Sequence, residues 1–203
     1  MALTLEALAA ESRRPATELY ALPGRIRGTA FGAWATNLDR RHGPGSADAV
    51  RAQLGVDRTT LPDNPSADTW IAGGLQASLT DTIATTFYGG NLCALEGPVL
   101  EDVNRDVSRV AKLVLRGLGP GRLLTKAPSL HDHSWDIGSL STTVTSEAAV
   151  LTIGGSPLFT YRTWLALQLM ALRAALELTG RTLVERSATR IADDRAQLRV
   201  RWG

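Results

Sequence analysis

The spacing of apolar residues changes near Trp135, and this change restricts the fold more than any other feature of the sequence. Before Trp135, apolar residues recur every three or four positions, which is typical of amphipathic helices. After it, apolar and small polar residues alternate over 139–144, which is the period of a half-buried strand. The predicted elements of this second half are strands near 140–144 and 149–153, a helix over 160–179, and strands over 182–191 and 196–202.

These elements predict an α+β fold in which a helical N-terminal half packs on a four-stranded antiparallel sheet of β-β-α-β-β order. The helix over 160–179 is apolar around most of its circumference, so it has to be covered on both sides. Its only polar stripe is predicted to be Arg162, Arg173 and Glu177, which we expect to face solvent.

Two long helices are predicted in the first half. One runs from Ser66 or Asp68 to about Phe87, with Trp70 on its apolar face. The Gly73-Gly74 pair weakens this helix by about 1 kcal/mol per glycine, so close packing must explain it. The other helix follows from valines spaced four, four, three and four residues apart, at 99, 103, 107, 110 and 114, and ends at glycines 117 and 119.

With 203 residues, of which 44% are hydrophobic, the chain is long enough for one domain with a substantial core. We expect residues 1–23 to be a peripheral segment, because prolines 15 and 23 interrupt it. Residues 24–203 are predicted to form a single α+β domain, with its helical part over 24–130 and its ββαββ part over 131–203.

Charge and composition exclude several classes of protein. A formal charge of +2 gives no reason to expect a nucleic-acid partner. The single Cys93 excludes a disulfide framework. No apolar run reaches the roughly 18 residues that a membrane span needs, so we expect no membrane partner. Glu6 interrupts the stretch in which a signal peptide would be apolar, so we expect a cytoplasmic protein.

Several short stretches resemble a paralogous domain family of unknown function from myxobacteria. The resemblance covers roughly residues 24–202 and consists mainly in the order of the stretches. They are Arg27-Gly28-Thr29-Ala30-Phe31, Arg41-His42-Gly43-Pro44, Asn64-Pro65-Ser66-Ala67-Asp68-Thr69-Trp70, Gly119-Pro120-Gly121-Arg122-Leu123-Leu124 and Leu198-Arg199-Val200-Arg201-Trp202. The family implies no reaction and no catalytic residues.

The predicted arrangement is also similar to sensor domains that combine N-terminal helices with a two-hairpin sheet around a small-molecule pocket. The haem-binding members of that group carry an axial histidine on a helix and a Tyr-x-Ser-x-Arg signature. The signature is absent here, and we expect all three histidines to lie at a helix end or in a loop. We therefore predict no haem and no other cofactor.

The strongest cluster of reactive side chains is His131-Asp132-His133-Ser134-Trp135-Asp136. On an extended chain, His131 and His133 project to one face, and with Asp136 they are a possible zinc or iron site. The same three residues are the basis of the alternative hypothesis, a metal-bound or acid–base enzyme acting on small molecules or peptides. The simpler interpretation, a polar loop that enters the first strand, is the one we favour.

Five tryptophans outnumber the three tyrosines and the three phenylalanines, and tryptophan is common in apolar binding pockets. We predict a ligand pocket between the helical half and the sheet, bordered by Trp70, Trp135 and Trp164. Arg27 belongs to a basic cluster with Arg25, Arg40 and Arg41, near a helix predicted around 31–38, and is the predicted contact for an anionic group.

These observations favour a non-catalytic binding module, with no catalytic residues assigned, in a signalling or specialised biosynthetic pathway. The predicted partner is a small apolar molecule, a peptide or another protein. A peptide is a candidate because an exposed sheet edge accepts an extended chain by backbone hydrogen bonding. The same edge makes a homodimer a further possibility.

Overall fold

The computed structural model describes residues 2–203. Nine α-helices and six strands are found there. The helices are α1 Leu5–Ala10, α2 Ala16–Tyr20, α3 Trp34–His42, α4 Ser46–Leu54, α5 Gly73–Tyr88, α6 Glu96–Asp106, α7 Arg109–Leu124, α8 Ala127–Ser134 and α9 Arg162–Leu178. The strands are β1 Arg25–Arg27, β2 Trp70–Ala72, β3 Ser139–Val144, β4 Ala148–Gly154, β5 Leu183–Ala192 and β6 Arg195–Trp202.

The C-terminal sheet is antiparallel with the strand order β3-β4-β6-β5. Its two hairpins join side by side, and Leu151 of β4 lies opposite Leu198 of β6. Alternate residues of β4 and β6 are buried, and α9 packs against the sheet with most of its length buried. The predicted α+β fold with a β-β-α-β-β half is confirmed.

The predicted helix over 66–87 starts later than expected, at Gly73. Residues Trp70–Ala72 instead form β2, which pairs antiparallel with β1. The paired residues are more than forty positions apart in the sequence, so the local spacing of apolar residues does not predict the pairing. Trp70 is therefore a strand residue, and the prediction that placed it on a helix is wrong.

Close packing does explain the glycine pair at the start of α5. A Cβ atom on Gly73 would lie 2.5 Å from the Trp135 ring, and one on Gly74 would lie 1.9 Å from the carbonyl oxygen of Leu19. Both distances are far below van der Waals contact. The two glycines allow α5 to meet α2 and the indole of Trp135 directly.

The predicted valine helix is two helices. Val107 leaves the helical conformation with ψ 120°, and the Ser108 hydroxyl accepts a hydrogen bond from the Ala111 amide at 3.2 Å, which starts α7. Helix α7 then passes through Gly117 and kinks at Gly119 (φ 71°), just before Pro120. Val99 at the start of the stripe packs against the core, whereas Val110 and Val114 on α7 are exposed.

The segment expected to be peripheral contributes to the core. Leu5 and Leu8 of α1 and Leu19 of α2 are buried, and Leu3 exchanges backbone hydrogen bonds with Ala188 of β5 at 2.6 and 2.8 Å. Arg162, which we expected in solvent, is only 3% exposed. Within residues 2–203, no helix combines the length and the apolar character required to traverse a bilayer.

Candidate functional site: an apolar cavity beside the sheet

A cavity of about 420 Å³ lies between the sheet and helices α7, α8 and α9. We call it the sheet cavity. Twenty described residues line it, and seventeen of them are apolar. They come from α6 (Val103), α7 (Leu115, Leu123, Leu124), α8 (Ala127, Leu130, His131, Ser134), the residue after it (Trp135), the strands (Leu140, Leu151, Ile153, Leu198) and α9 (Trp164, Gln168, Ala171, Leu172, Ala174, Ala175, Leu178).

One end of the cavity is an aromatic cluster. The rings of Trp135 and Trp164 meet edge to face with centroids 6.5 Å apart, and Phe159 contacts both at 5.2 and 5.0 Å. His131 lies beside them, 6.4 Å from the Trp135 ring and 5.7 Å from Phe159. Such contacts favour a fixed arrangement of the rings over a loose one. This end of the cavity is therefore closed by four packed aromatic rings.

Polar groups at the cavity are few. The lining contains His131, Ser134 and Gln168, and no Lys, Arg, Asp or Glu among the described residues. The indole Nε1–H of Trp164 is buried and has no hydrogen-bond partner within residues 2–203. A buried donor without an acceptor costs about 1–3 kcal/mol.

His131 is an uncharged group. Its Nε2 lies 3.2 Å from the carbonyl oxygen of Ile137, and because a carbonyl only accepts, Nε2 must carry the hydrogen. Burial lowers the pKa of His131 below its ordinary value, with partial opposition from this hydrogen bond. The imidazole is therefore neutral at pH 7, and the sheet cavity carries no formal charge.

Two of the predicted ligand-binding residues, Trp135 and Trp164, line the sheet cavity together. The other two lie elsewhere. The Arg27 guanidinium stacks over the Trp70 ring at 4.1 Å and donates to the Ala67 carbonyl at 3.1 Å. Trp70 and Arg27 thus contact each other on the β1–β2 ribbon and do not line the cavity.

The segment from His131 to Ser134 is the last turn of α8, so the prediction of an extended loop is wrong. Two residues apart on a helix, His131 and His133 point in different directions: the first is buried and the second is exposed. Asp136 is held by Arg25, whose backbone amide and Nε each donate to the carboxylate at 2.6 Å. Residues 2–203 contain no group of three or more His, Cys, Asp or Glu placed to share a metal ion.

A second cavity, of about 450 Å³, lies within the helical half between α3, α5 and α6. It has a charged edge, where Arg41 donates to Asp102 at 2.8 Å. Phe31, Leu79 and Val99 are among its apolar lining. Because its charged groups already satisfy each other, the sheet cavity is the stronger candidate site.

The sequence did not single out Ser134 or Gln168 as site residues. A signal for Gln168 was present, since it interrupts the apolar circumference of α9 between Leu167 and Leu169. Nothing comparable marked Ser134, because its place depends on α8, which the sequence did not predict. The contribution of α7 was hidden as well, since the sequence predicts only one helical stripe of apolar residues there.

No protein-family model matches the sequence, and no curated protein is significantly similar to it. The membership of the myxobacterial family therefore stays a prediction.

Solved structures with a similar fold are H-NOX proteins. One is an oxygen-binding H-NOX domain related to soluble guanylate cyclases, in its oxygen complex, with 14% identity and a TM-score of 0.56 over 87% of this chain and 94% of that one. A phenylalanine-to-leucine variant of Tt H-NOX gives 14% identity and 0.57 over 87% and 94%. An Fe(II) unliganded H-NOX protein from K. algicida gives 9% and 0.57 over 87% and 96%. At these identities the similarity defines the fold: the chain has the α+β architecture of an H-NOX domain.

Proposed function

We propose that this chain is a non-catalytic binding module that takes a small, uncharged and mainly apolar molecule into the sheet cavity, in a signalling or specialised biosynthetic pathway. The observation that carries the proposal is the apolar lining of the cavity, seventeen residues of twenty. Ligand pockets have this character, with few polar groups that fix the orientation of the ligand. The H-NOX-like architecture supports the assignment to ligand-sensing proteins.

The chemistry of the lining favours an uncharged ligand. A carboxylate or ammonium group would lose its hydration on entering the cavity, and the described lining offers it no charge of opposite sign. An alcohol, ketone or ester loses far less. Its oxygen can accept a hydrogen bond from the Ser134 hydroxyl or the Gln168 amide, the polar donors of the lining besides His131.

Haem does not fit this site. His131 lies in the last turn of α8, and its Nε2 donates a hydrogen bond to the Ile137 carbonyl, so only Nδ1 keeps a lone pair for a metal. The two propionates of haem would need cationic partners, and the described lining contains neither Lys nor Arg. We therefore propose that the chain uses the H-NOX-like architecture for another class of ligand.

The proposal is tested by a thermal-shift screen of the full chain against apolar metabolites and short peptides. We include camphor and its carbonyl-free analogue bornane as a matched pair of probes. We expect apolar molecules that bind the cavity to raise Tm, by an amount that grows with the logarithm of their concentration above Kd. Camphor should bind roughly fivefold more tightly than bornane, because its oxygen accepts one hydrogen bond worth about 1 kcal/mol.

Two variants locate the binding. Ala175→Leu fills part of the cavity from α9 and should abolish the shifts, whereas Ala52→Leu, on an exposed position of α4, should leave them unchanged. Gln168→Leu removes a polar donor of the lining and should reduce the preference for camphor over bornane. Absence of a shift with every apolar compound, in protein that is folded, would contradict the proposal.

A further inference from the structure

Most of the exposed large apolar side chains of the described chain lie on one segment. The described residues include seven such side chains, and five of them belong to α7 and α8. On α7 these are Val110, Leu113, Val114 and Leu118, which are 73%, 72%, 56% and 42% exposed. Their spacing of three, one and four residues places them on one face of the helix. We call this the outer apolar face of α7.

The same segment is strongly basic. Residues 109–126 include five basic side chains and no Asp or Glu, so the segment carries a formal charge of +5 in a chain whose total is +2. These side chains are Arg109, Lys112, Arg116, Arg122 and Lys126. None of them has a carboxylate within 4.0 Å among residues 2–203, although the structure contains eighteen such ion-pair contacts elsewhere.

The basic and apolar residues are arranged as two adjacent rows. Arg109, Lys112 and Arg116 follow each other at spacings of three and four, so they form one row along α7. The outer apolar face is the next row around the helix. The opposite side of α7 faces the protein, since Leu115 lines the sheet cavity.

From this arrangement we infer that α7 is an interfacial helix that docks the chain on an anionic lipid surface. The outer apolar face enters the headgroup boundary, and the neighbouring row of cations binds lipid phosphates. Such binding needs no membrane span, and it replaces the expectation of no membrane partner, which rested on span length alone. The inference does not depend on the sheet cavity or its ligand.

A lipid surface fits α7 better than an acidic protein does. The exposed apolar residues are all Val and Leu, without the Trp and Tyr anchors that concentrate binding energy in protein interfaces. The uncompensated charge of +5 matches a surface with many negative groups and no fixed geometry.

The test is flotation of the full chain with lipid vesicles. We expect binding to vesicles that contain one third phosphatidylglycerol, no binding to pure phosphatidylcholine, and weaker binding at high salt. Arg109→Gln combined with Arg116→Gln should lower the partition coefficient on anionic vesicles roughly thirtyfold, since each cation near such a surface contributes about 1 kcal/mol. Leu113→Gln should weaken binding while the charge stays the same.

The matched control is Arg195→Gln combined with Arg199→Gln on β6, which removes two exposed arginines that also have no carboxylate within 4.0 Å among the described residues. This control should bind like the natural chain. The inference is overturned if the natural chain floats with neither vesicle, or if the control loses as much binding as the α7 pair. It is also overturned if the chain binds immobilised polyglutamate and no vesicle, which would assign α7 to an acidic protein. Circular dichroism confirms that each variant is folded.

Discussion

Asp81 is the most completely paired acidic side chain in the interior. Its Oδ1 accepts from Arg162 Nη2 at 2.9 Å and from Thr163 Oγ1 at 2.7 Å, and its Oδ2 accepts from the Tyr161 hydroxyl at 2.7 Å. The ion pair of Arg162 and Asp81 is almost fully buried, with side-chain exposures of 3% and 4% respectively. Arg162 also donates to the carbonyls of α1 and its end, Ala9 at 3.0 Å and Glu11 at 2.5 Å. This cluster joins α5, α9 and the N-terminal segment.

Removing the carboxylate should be costly. We expect Asp81→Ala to lower the free energy of unfolding by about 3–5 kcal/mol, because it leaves the Arg162 charge buried without a counter-ion. Denaturant unfolding measures the loss. The control is Glu185→Gln, which removes an exposed contact with Arg201 at 3.6 Å and should cost less than about 1 kcal/mol. Equal small effects of the two substitutions would show that the buried pair does not stabilise the fold.

At this scale the sequence was informative about residue type and uninformative about partners. Trp135 and Trp164 were predicted to share a pocket, and they line the same cavity. Arg162 was assigned to solvent because it is a charge at helical spacing from Arg173 and Glu177. Its partner is 81 residues away, and no local pattern connects the two.

Helix α5 depends on glycine at its start, because its first turn packs too closely on α2 to leave room for a Cβ atom. Gly74 lies under the Leu19 carbonyl of α2, at a distance that excludes any Cβ. Gly117 of α7 is also helical, but its Cβ would meet nothing within 4 Å. The two glycines therefore differ in surroundings and not in backbone conformation.

Alanine should have opposite effects at these two positions. Gly117→Ala should raise the free energy of unfolding by roughly 0.5–1 kcal/mol, because alanine is the better helix former. Gly74→Ala should lower it despite the same gain, by roughly 1–3 kcal/mol, because α2 must shift away from α5. Thermal or denaturant unfolding of both variants gives the sign of each change. Stabilisation by both would contradict the close contact between α2 and α5.

The elements of the second half were predictable because each strand and helix there has a clear period and is bounded by glycine or a turn. The elements of the first half were harder. The valine repeat continues at helical spacing across Val107 and Ser108. The helix nevertheless ends there, and the Ser108 side chain caps the start of a new one. The spacing of apolar residues alone does not distinguish one long helix from two consecutive helices that share the same spacing.

The N-terminal residues of the described chain pack into its core and pair with its sheet. Leu3 adds a backbone bridge to β5, while Leu5 and Leu8 bury their side chains between α1 and the rest of the core. Helix α1 packs on α9, the helix that also forms one wall of the sheet cavity. The segment expected to be peripheral thus supports the same helix as the candidate site.

Deletion of residues 2–11 should leave a chain that is largely unfolded at room temperature. Each buried leucine contributes about 1.5–3 kcal/mol, so three of them account for much of the 5–15 kcal/mol that stabilises an ordinary domain. Circular dichroism and Tm measure the effect. In the full chain, Leu8→Ala should cost about 2–5 kcal/mol, and Glu6→Ala on the exposed side of α1 should be nearly neutral. A truncated chain with an unchanged Tm would restore the peripheral assignment.

The sequence by itself determined the fold class, the order of strands and helices in the C-terminal half, and two of the tryptophans at the cavity. These follow from periodicity and residue type, which act locally along the chain. The tertiary structure decided the pairing of β1 with β2, the burial of Arg162 against Asp81, and the exposure of the outer apolar face of α7 to solvent. Each of these is a contact, or a missing contact, between segments far apart in sequence, and its free energy depends on a geometry that exists only after the chain has folded.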